Sequence, residues 1–408
     1  MKRAQRWFLF IVFSWIAFLP LHARAQSIPA DDNPFPLLEG LEQPVEFWKK
    51  IFTEYSVSQL VFFDPLEMSK IYEVLDVGEE NRSNEYVNGE RERIAAAHEV
   101  SIDRVKAQRG VKERTAAGLK RANRYIVQMQ QIFRERGLPV ELTYLPLIES
   151  SFNINARSHA GALGMWQFMP ATGRQYMQVN RAIDERRDPI ESTRAAASFL
   201  KQAYESLGKW PLAITAYNFG PAGMARAVAE VGSDNLVDVI QRYNHPHFGY
   251  PPKNFYAEFL AAVEIGKNTD HYFPGLDLDL PVAIKEVELS SKSSLAAVMK
   301  STGLRRDEFL AWNPALVNAP KIIPAGYRVK LPVQKQMAAI VEPREVREVR
   351  ETSARQQQSS VVRHRVQRGE TVMQIAKRYG TSAERILRIN GLRKANLRVG
   401  STLLVPRL

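Results

Sequence analysis

No cysteine occurs among the 408 residues of this chain. Disulfide frameworks, zinc–cysteine sites, thiol catalysis and a lipid-modified cysteine therefore have no place in the sequence. Long apolar runs are scarce too. The one extended stretch, Trp7 to Leu21, falls short of the roughly 20 residues that a spanning helix needs. Only 7 histidines occur, and the H-E-x-x-H, phosphate-loop and G-x-S-x-G patterns are all missing. His245-Pro246-His247 has no third ligand spaced nearby, so it is expected to be a turn, with no metal and no cofactor. What remains is ordinary globular composition, 45% hydrophobic and 25% charged, over a length that suits two or three domains.

Charge of one sign is in excess, at +12, and its distribution is informative. Lys2, Arg3 and Arg6 precede the apolar run, and Ala23-Arg24-Ala25 follows it. That order of basic, apolar and small residues is expected to be a signal peptide, residues 1–25, directing export to the periplasm or cell envelope. Nucleic acid is then an unexpected partner, membrane association is at most peripheral, and a monomer is expected. From Arg363 to Leu408, eleven Lys and Arg face only Glu370 and Glu384. Such a module suits an anionic envelope polymer, or is simply a solvated surface.

Composition divides the rest. Residues 26–125 are expected to be an N-terminal helical region, with Gly110 and Gly118 as possible breaks. Residues 126–275 alternate helical patterns with Gly and Pro stops and show no strand-like alternation, so an α-helical domain is expected. Two later segments, 284–333 and 363–408, are cryptic repeats. A shift of 77 superposes Leu295 on Val372, Gly303 on Gly380 and Asn313 on Asn390; a shift of 74 superposes Gly326 on Gly400 and Pro332 on Pro406. Each copy reads as strand, helix, helix, strand. The polar stretch 334–362 between them is expected to be a flexible linker.

Three segments carry candidate chemistry. In Pro139–Phe152, apolar residues at 142, 145, 147 and 148 predict a helix, kinked at Pro146, with Glu149 on its apolar face near its end. Burial there would raise the carboxyl pKa, as a general acid requires; a structural glutamate paired with an arginine is the other reading. In Ser158–Pro170, Gly161 and Gly164 allow a close backbone approach, Met165 and Trp166 offer faces to a sugar ring, and Gln167 offers hydrogen bonds. A buried turn with core aromatics explains the same residues. In Ala213–Pro221, Tyr217 and Asn218 end a helix, where they either face a cleft or serve as cap and core. Asp184 and Asp188 are the nearest downstream aspartates, and Asp188 before Pro189 is explained as a helix N-cap.

Taken together, Glu149-Ser150, the run Gly161 to Gln167 and Ala216-Tyr217-Asn218 resemble the lysozyme-like domain of the lytic murein transglycosylases. Arg365 to Val372, with Tyr379-Gly380, Asn390 and Leu403 to Pro406, resembles a LysM module, and 284–333 is similar to a degenerate copy. The resemblance implies a mainly α fold: a lysozyme-like α-helical catalytic domain followed by two small α+β (βααβ) modules. It implies cleavage of the bond between N-acetylmuramic acid and N-acetylglucosamine in peptidoglycan, leaving a 1,6-anhydro end. Glu149 would be the catalytic acid, and Ser150, Gly164, Met165, Gln167, Tyr217 and Asn218 would bind substrate. In the LysM module, glycan would meet Gly369, Glu370, Thr371, Asn390, Gly391 and Leu392. A hydrolytic muramidase, or a wall-binding protein without activity, are the alternatives.

Overall fold

The computed structural model describes residues 33–78, 83–333, 361–390, 392 and 397–406. The expected signal peptide, nearly all of the linker and Gly391 lie outside these residues. The chain divides into two units. The first comprises residues up to 120, 126–151 and 193–277; the second comprises 121–125, 152–192 and the chain from 278 onward.

The first unit opens on α1 (Glu42–Thr53), whose Val45, Trp48, Ile51 and Phe52 recur at helical spacing and are buried. Strands β1 (Gln59–Asp64), β2 (Glu67–Asp76) and β3 (Lys106–Arg109) form an antiparallel sheet in the order β2-β1-β3. This corrects the expectation that 26–125 is a helical region. Leu60-Val61-Phe62-Phe63 is the central strand and is buried on both faces, so it shows none of the alternation that marks a half-exposed strand. Helix α2 (Asn84–Ala97) lies between β2 and β3 in sequence, and α3 (Lys112–Ala122) and α4 (Ile126–Glu135) follow. Gly118 sits inside α3 rather than breaking it. A Cβ there would lie 2.9 Å from Leu147 Cδ1 and 3.0 Å from Ser151 Cβ, so the glycine permits close packing.

Six further helices follow α5 (Leu145–Ser150): α6 (Pro170–Tyr176), α7 (Pro189–Leu207), α8 (Trp210–Phe219), α9 (Pro221–Val231), α10 (Leu236–Arg242) and α11 (Tyr250–Lys267), before the single turn α12 (Thr269–Tyr272). Proline stands in the first turn of α5, α6, α8, α9 and α11, where its missing N–H is not needed. Asp188 caps α7 as expected, its Oδ1 accepting from the amides of Ile190 and Glu191. Within the first unit α11 packs against α1, α5 and α8, and the Trp48 indole donates to Asn254 on it.

The second unit contains both repeat copies. The first runs β4 (Ile284–Glu288), β5 (Ser293–Ser294), α13 (Leu295–Thr302), α14 (Arg306–Trp312), β6 (Ile322–Ile323) and β7 (Arg328–Pro332); the second runs β8 (Val361–Arg365), α15 (Val372–Arg378), α16 (Ala383–Ile389) and β9 (Thr402–Pro406). The repeat extends to single hydrogen bonds. Asn313 Nδ2 donates to Lys330 O and its Oδ1 accepts from Lys330 N, both at 2.9 Å. Asn390 clasps Leu404 in the same way at 2.8 Å. The strand pairings agree, with Glu286 opposite Lys330 and Arg363 opposite Leu404. The copies differ in their surroundings. Ile183 belongs to the core of the first, beside Val298, Phe309 and Val329, and the amide of Asp184 donates to Ala315 O. The first copy therefore shares its core with the segment before α7.

Candidate active site

Glu149 is the penultimate residue of α5. Pro146 starts this helix after a 3-10 turn, Val140–Tyr144, so it opens a new element instead of kinking a longer one. Ser151 and Phe152 then take left-handed conformations, with φ of 51° and 55°, which ends the helix one residue past the glutamate. Leu142 and Leu145, on the same face, are fully buried while Glu149 is partly buried. Burial raises its carboxyl pKa from 4.5 to about 8. No arginine or lysine among the described residues pairs with it, which sets aside the structural ion-pair reading. The neighbouring Ser150 hydroxyl reaches Pro146 O at 3.5 Å.

Two other groups of the first unit act on, or feel, this carboxyl. Tyr217, in the last turn of α8, packs edge-on against Phe199 at 5.1 Å. Burial and the Glu149 charge together push its phenol well up. Glu258 on α11 is the second. Burial, then the charge of Glu149, raise it from 4.5 to about 8 as well. Glu258 went unnoticed in the sequence, although the signal was there: it is a lone acid in the run Phe255-Tyr-Ala-Glu-Phe-Leu-Ala-Ala262, on a helix buried along most of its length. Asn218 is exposed and lines a cavity of about 460 Å³ with Phe219, Arg226, His245 and His247. The expected turn at His245-Pro246-His247 is present, with the amide of His247 donating to His245 Nδ1.

The run Gly161 to Gln167 belongs to the second unit. Met165 and Trp166, expected to offer faces to a sugar, are 1% and 0% exposed; both lie beneath the loop, and neither presents a surface. Gln167 Nε2 donates to Gly164 O at 2.7 Å and to Ala156 O, so its amide holds its own loop. Gly164 does need to be glycine, but for the chain's own sake. Its φ is +78°, and a Cβ would stand 1.8 Å from the carbonyl oxygen of Arg186. Arg186 in turn donates to Gly161 O and Phe168 O, both at 3.0 Å, while Asp184 fixes its guanidinium at 2.7 Å.

In the second repeat copy, several expected glycan contacts are tied into the fold. The Glu370 carboxylate points inward to His364 and Arg378, each at 2.7 Å. Thr371 caps α15 in a reciprocal pair with Gln374, Asn390 is occupied by the clasp on Leu404, and Leu392 packs on the module's core. Gly369, with φ +87°, turns the loop next to Glu370 and Thr371.

Residues 129–237 match the family model described as Transglycosylase SLT domain, and residues 364–406 match the LysM domain. The chain is homologous to the membrane-bound lytic murein transglycosylase D of Escherichia coli strain K12, with 28% identity over 291 residues; the match covers 70% of this chain and 64% of that protein. It thus spans under two thirds of that relative. Among solved structures, an inactive mutant of the lytic transglycosylase Slt from Pseudomonas aeruginosa matches with 21% identity and a TM-score of 0.30, covering 37% of this chain and 25% of that one. The 70 kDa soluble lytic transglycosylase of Escherichia coli matches with 19% identity and a TM-score of 0.29, covering 36% and 24%.

Proposed function

We propose that this chain, which carries a transglycosylase SLT domain and a LysM domain, is a lytic transglycosylase of peptidoglycan. It would cleave the β-1,4 bond between N-acetylmuramic acid and N-acetylglucosamine and leave a 1,6-anhydro end. The observation that carries this reading is Glu149 at a helix end with its carboxyl held near pKa 8 by burial. At neutral pH it keeps a proton to give, which is what a general acid needs.

The reaction then runs in two steps. Glu149 protonates the glycosidic oxygen as the C1–O bond breaks, and the 2-acetamido oxygen of the same sugar closes on C1 with inversion. Glu149, now a carboxylate, removes the proton from the C6 hydroxyl. O6 attacks C1 from the other face, the acetamido oxygen leaves, and the 1,6-anhydro ring is closed with Glu149 reprotonated. No second carboxylate has to flank the bond, unlike in a hydrolase. Tyr217 and Asn218 brace the acetamido group, and Ser150, Gly164, Met165 and Gln167 belong to the sugar subsites, Met165 and Gln167 by shaping the loop. The LysM copy holds the enzyme on glycan through backbone groups around Gly369, Glu370, Thr371, Asn390, Gly391 and Leu392. We place the protein in the cell envelope, exported to the periplasm by residues 1–25. Among the described residues no helix is long and apolar enough to cross a membrane. Mass spectrometry of fragments released from purified sacculi tests the reading. The anhydro product is one water lighter than the hydrolytic product, and release of reducing, hydrated ends would make the protein a muramidase.

A further inference from the structure

The two repeat copies put the same backbone position to opposite use. Lys330 and Leu404 are equivalent, each clasped by its asparagine, yet Leu404 is 37% exposed and Lys330 is 2% exposed. A lysine is rarely so buried unless acids meet it. Here the ammonium lies 2.7 Å from Glu191, 3.1 Å from Asp188 and 3.8 Å from Glu286. Arg328, on the same face of β7, pairs with Glu191 at 2.6 Å. Asp188 and Glu191 belong to the start of α7, whose preceding residues carry Ile183 into the core of the first copy and Arg186 onto the carbonyls of Gly161 and Phe168. The segment 183–191 is therefore gripped by the first copy at one side and grips the Gly161–Phe168 loop at the other.

We propose that Lys330 is a positioning residue for the Gly161–Phe168 loop, acting through Asp188, Glu191 and Arg186, and that the first repeat copy is a scaffold for this loop, not a glycan-binding module. The loop's part in holding sugar rests on the function proposed above; the grip itself does not. With Lys330 in place, the acids of the segment and of β4 are balanced at short range. Without it, Asp188, Glu191 and Glu286 lose the ammonium that they share. Repulsion and desolvation then pull the segment from β7, and Arg186 moves with it. The loop loses the wall against which Gly164 is packed.

Hydrogen exchange of the full-length protein reads this directly, because the amides of Leu163, Gly164 and Gln167 donate to Phe168 O, Ala156 O and Gly164 O. In Lys330→Met these amides are expected to exchange about tenfold faster, with amides of β1 and of the second repeat copy unchanged. KM for soluble glycan chains should rise while kcat changes little, and Lys330→Arg should restore both readouts in part. If Lys330→Met does not fold, Arg328→Gln removes a cation from a more exposed place and should speed the same amides about threefold. Unchanged loop exchange in a folded Lys330→Met or Arg328→Gln protein would overturn the proposal, as would exchange that rises equally everywhere. The exchange readout does not depend on turnover. A wild type that releases no anhydro product would sink the function while leaving the grip standing, and an active enzyme with an indifferent loop would do the reverse.

Discussion

Replacing Glu149 by Gln should abolish turnover and, at neutral pH, make the protein more stable. An ordinary glutamate ionises near 4.5, and burial holds this one to about 8. At pH 7 the folded chain must therefore keep a proton that the unfolded chain has released. The sign follows from linkage: the folded state binds the proton more tightly, so this group's favourable contribution is complete below pH 4.5 and is lost as pH rises to about 8. The slope is about 1.4 kcal/mol per pH unit, which between 4.5 and 7 comes to about 3 kcal/mol. Because the side chain is partly exposed, solvent screening reduces this to about 1–2 kcal/mol. Gln has the same shape and no such penalty. Melting curves should coincide near pH 4.5 and diverge toward pH 8, with the variant about 2–8 °C higher at pH 7. Release of muropeptides from sacculi should fall by at least about 10²-fold. A Glu149→Gln protein that melts lower than wild type at pH 7, or a gap that does not change with pH, would mean an ionised and paired carboxylate. The general-acid assignment would then be refuted.

Three further outcomes are expected. In Glu149→Gln, Glu258 loses the neighbouring charge that helps to raise it, so its carboxyl should titrate at lower pH than in the wild type while burial still holds it above 4.5; an unmoved NMR titration of Glu258 would show that the two carboxyls do not interact. Gly164→Ala drives a Cβ onto the Arg186 carbonyl at 1.8 Å and should cost more than about 3 kcal/mol in denaturant unfolding. Gly161→Ala, at φ +93° with nothing within 4 Å, should cost only about 1 kcal/mol, and equal effects would contradict the packing reason given for Gly164. Truncation after Val333 should weaken pelleting with sacculi while sparing turnover of short soluble glycans, and part of the lost binding should be salt-sensitive; a truncated enzyme dead on short glycans would place the LysM copy in the active site.

How far the sequence could be read depended on whether a residue's surroundings are local. Glu149 near a helix end and the Asp188 cap follow from neighbours within a few turns, the Asn313/Asn390 repeat follows from a plain shift of 77 along the chain, and all were legible. The sheet of β1, β2 and β3 was not, because a central strand buried on both faces leaves a plain apolar run and its partner β3 arrives more than forty residues later. Pro146 gave a correct warning with the wrong outcome: a proline that disfavours helix continuation equally favours a helix start. Glu258 carried the same mark as Glu149, an acid on an apolar helix, but only the packing of α11 on α5 distinguishes it from a surface residue. The buried state of Met165 and Trp166 was likewise decided by tertiary contact, since a sugar platform and a core floor use the same side chains.

The divergence of the two repeat copies follows from one strand pair. In the second copy, Arg363 stands opposite Leu404, and Arg363 is exposed. This face keeps the positive charge that is concentrated from residue 363 onward, and nothing about it requires a buried counterion. In the first copy, Glu286 stands opposite Lys330, and the lysine is covered. A buried lysine costs several kcal/mol to desolvate unless acids repay it, so Lys330 is tolerable only with Asp188 and Glu191 against it. Those two acids are doubly committed, Asp188 through its other oxygen to the amides that open α7 and Glu191 to Arg328. Neither copy can therefore exchange its face for the other's by a single substitution. Leucine at position 330 of the first copy would take the ammonium from Asp188 and Glu191 and leave Glu191 to Arg328. On the scaffold role proposed above, the sheet face of the first copy serves its contact with the segment before α7.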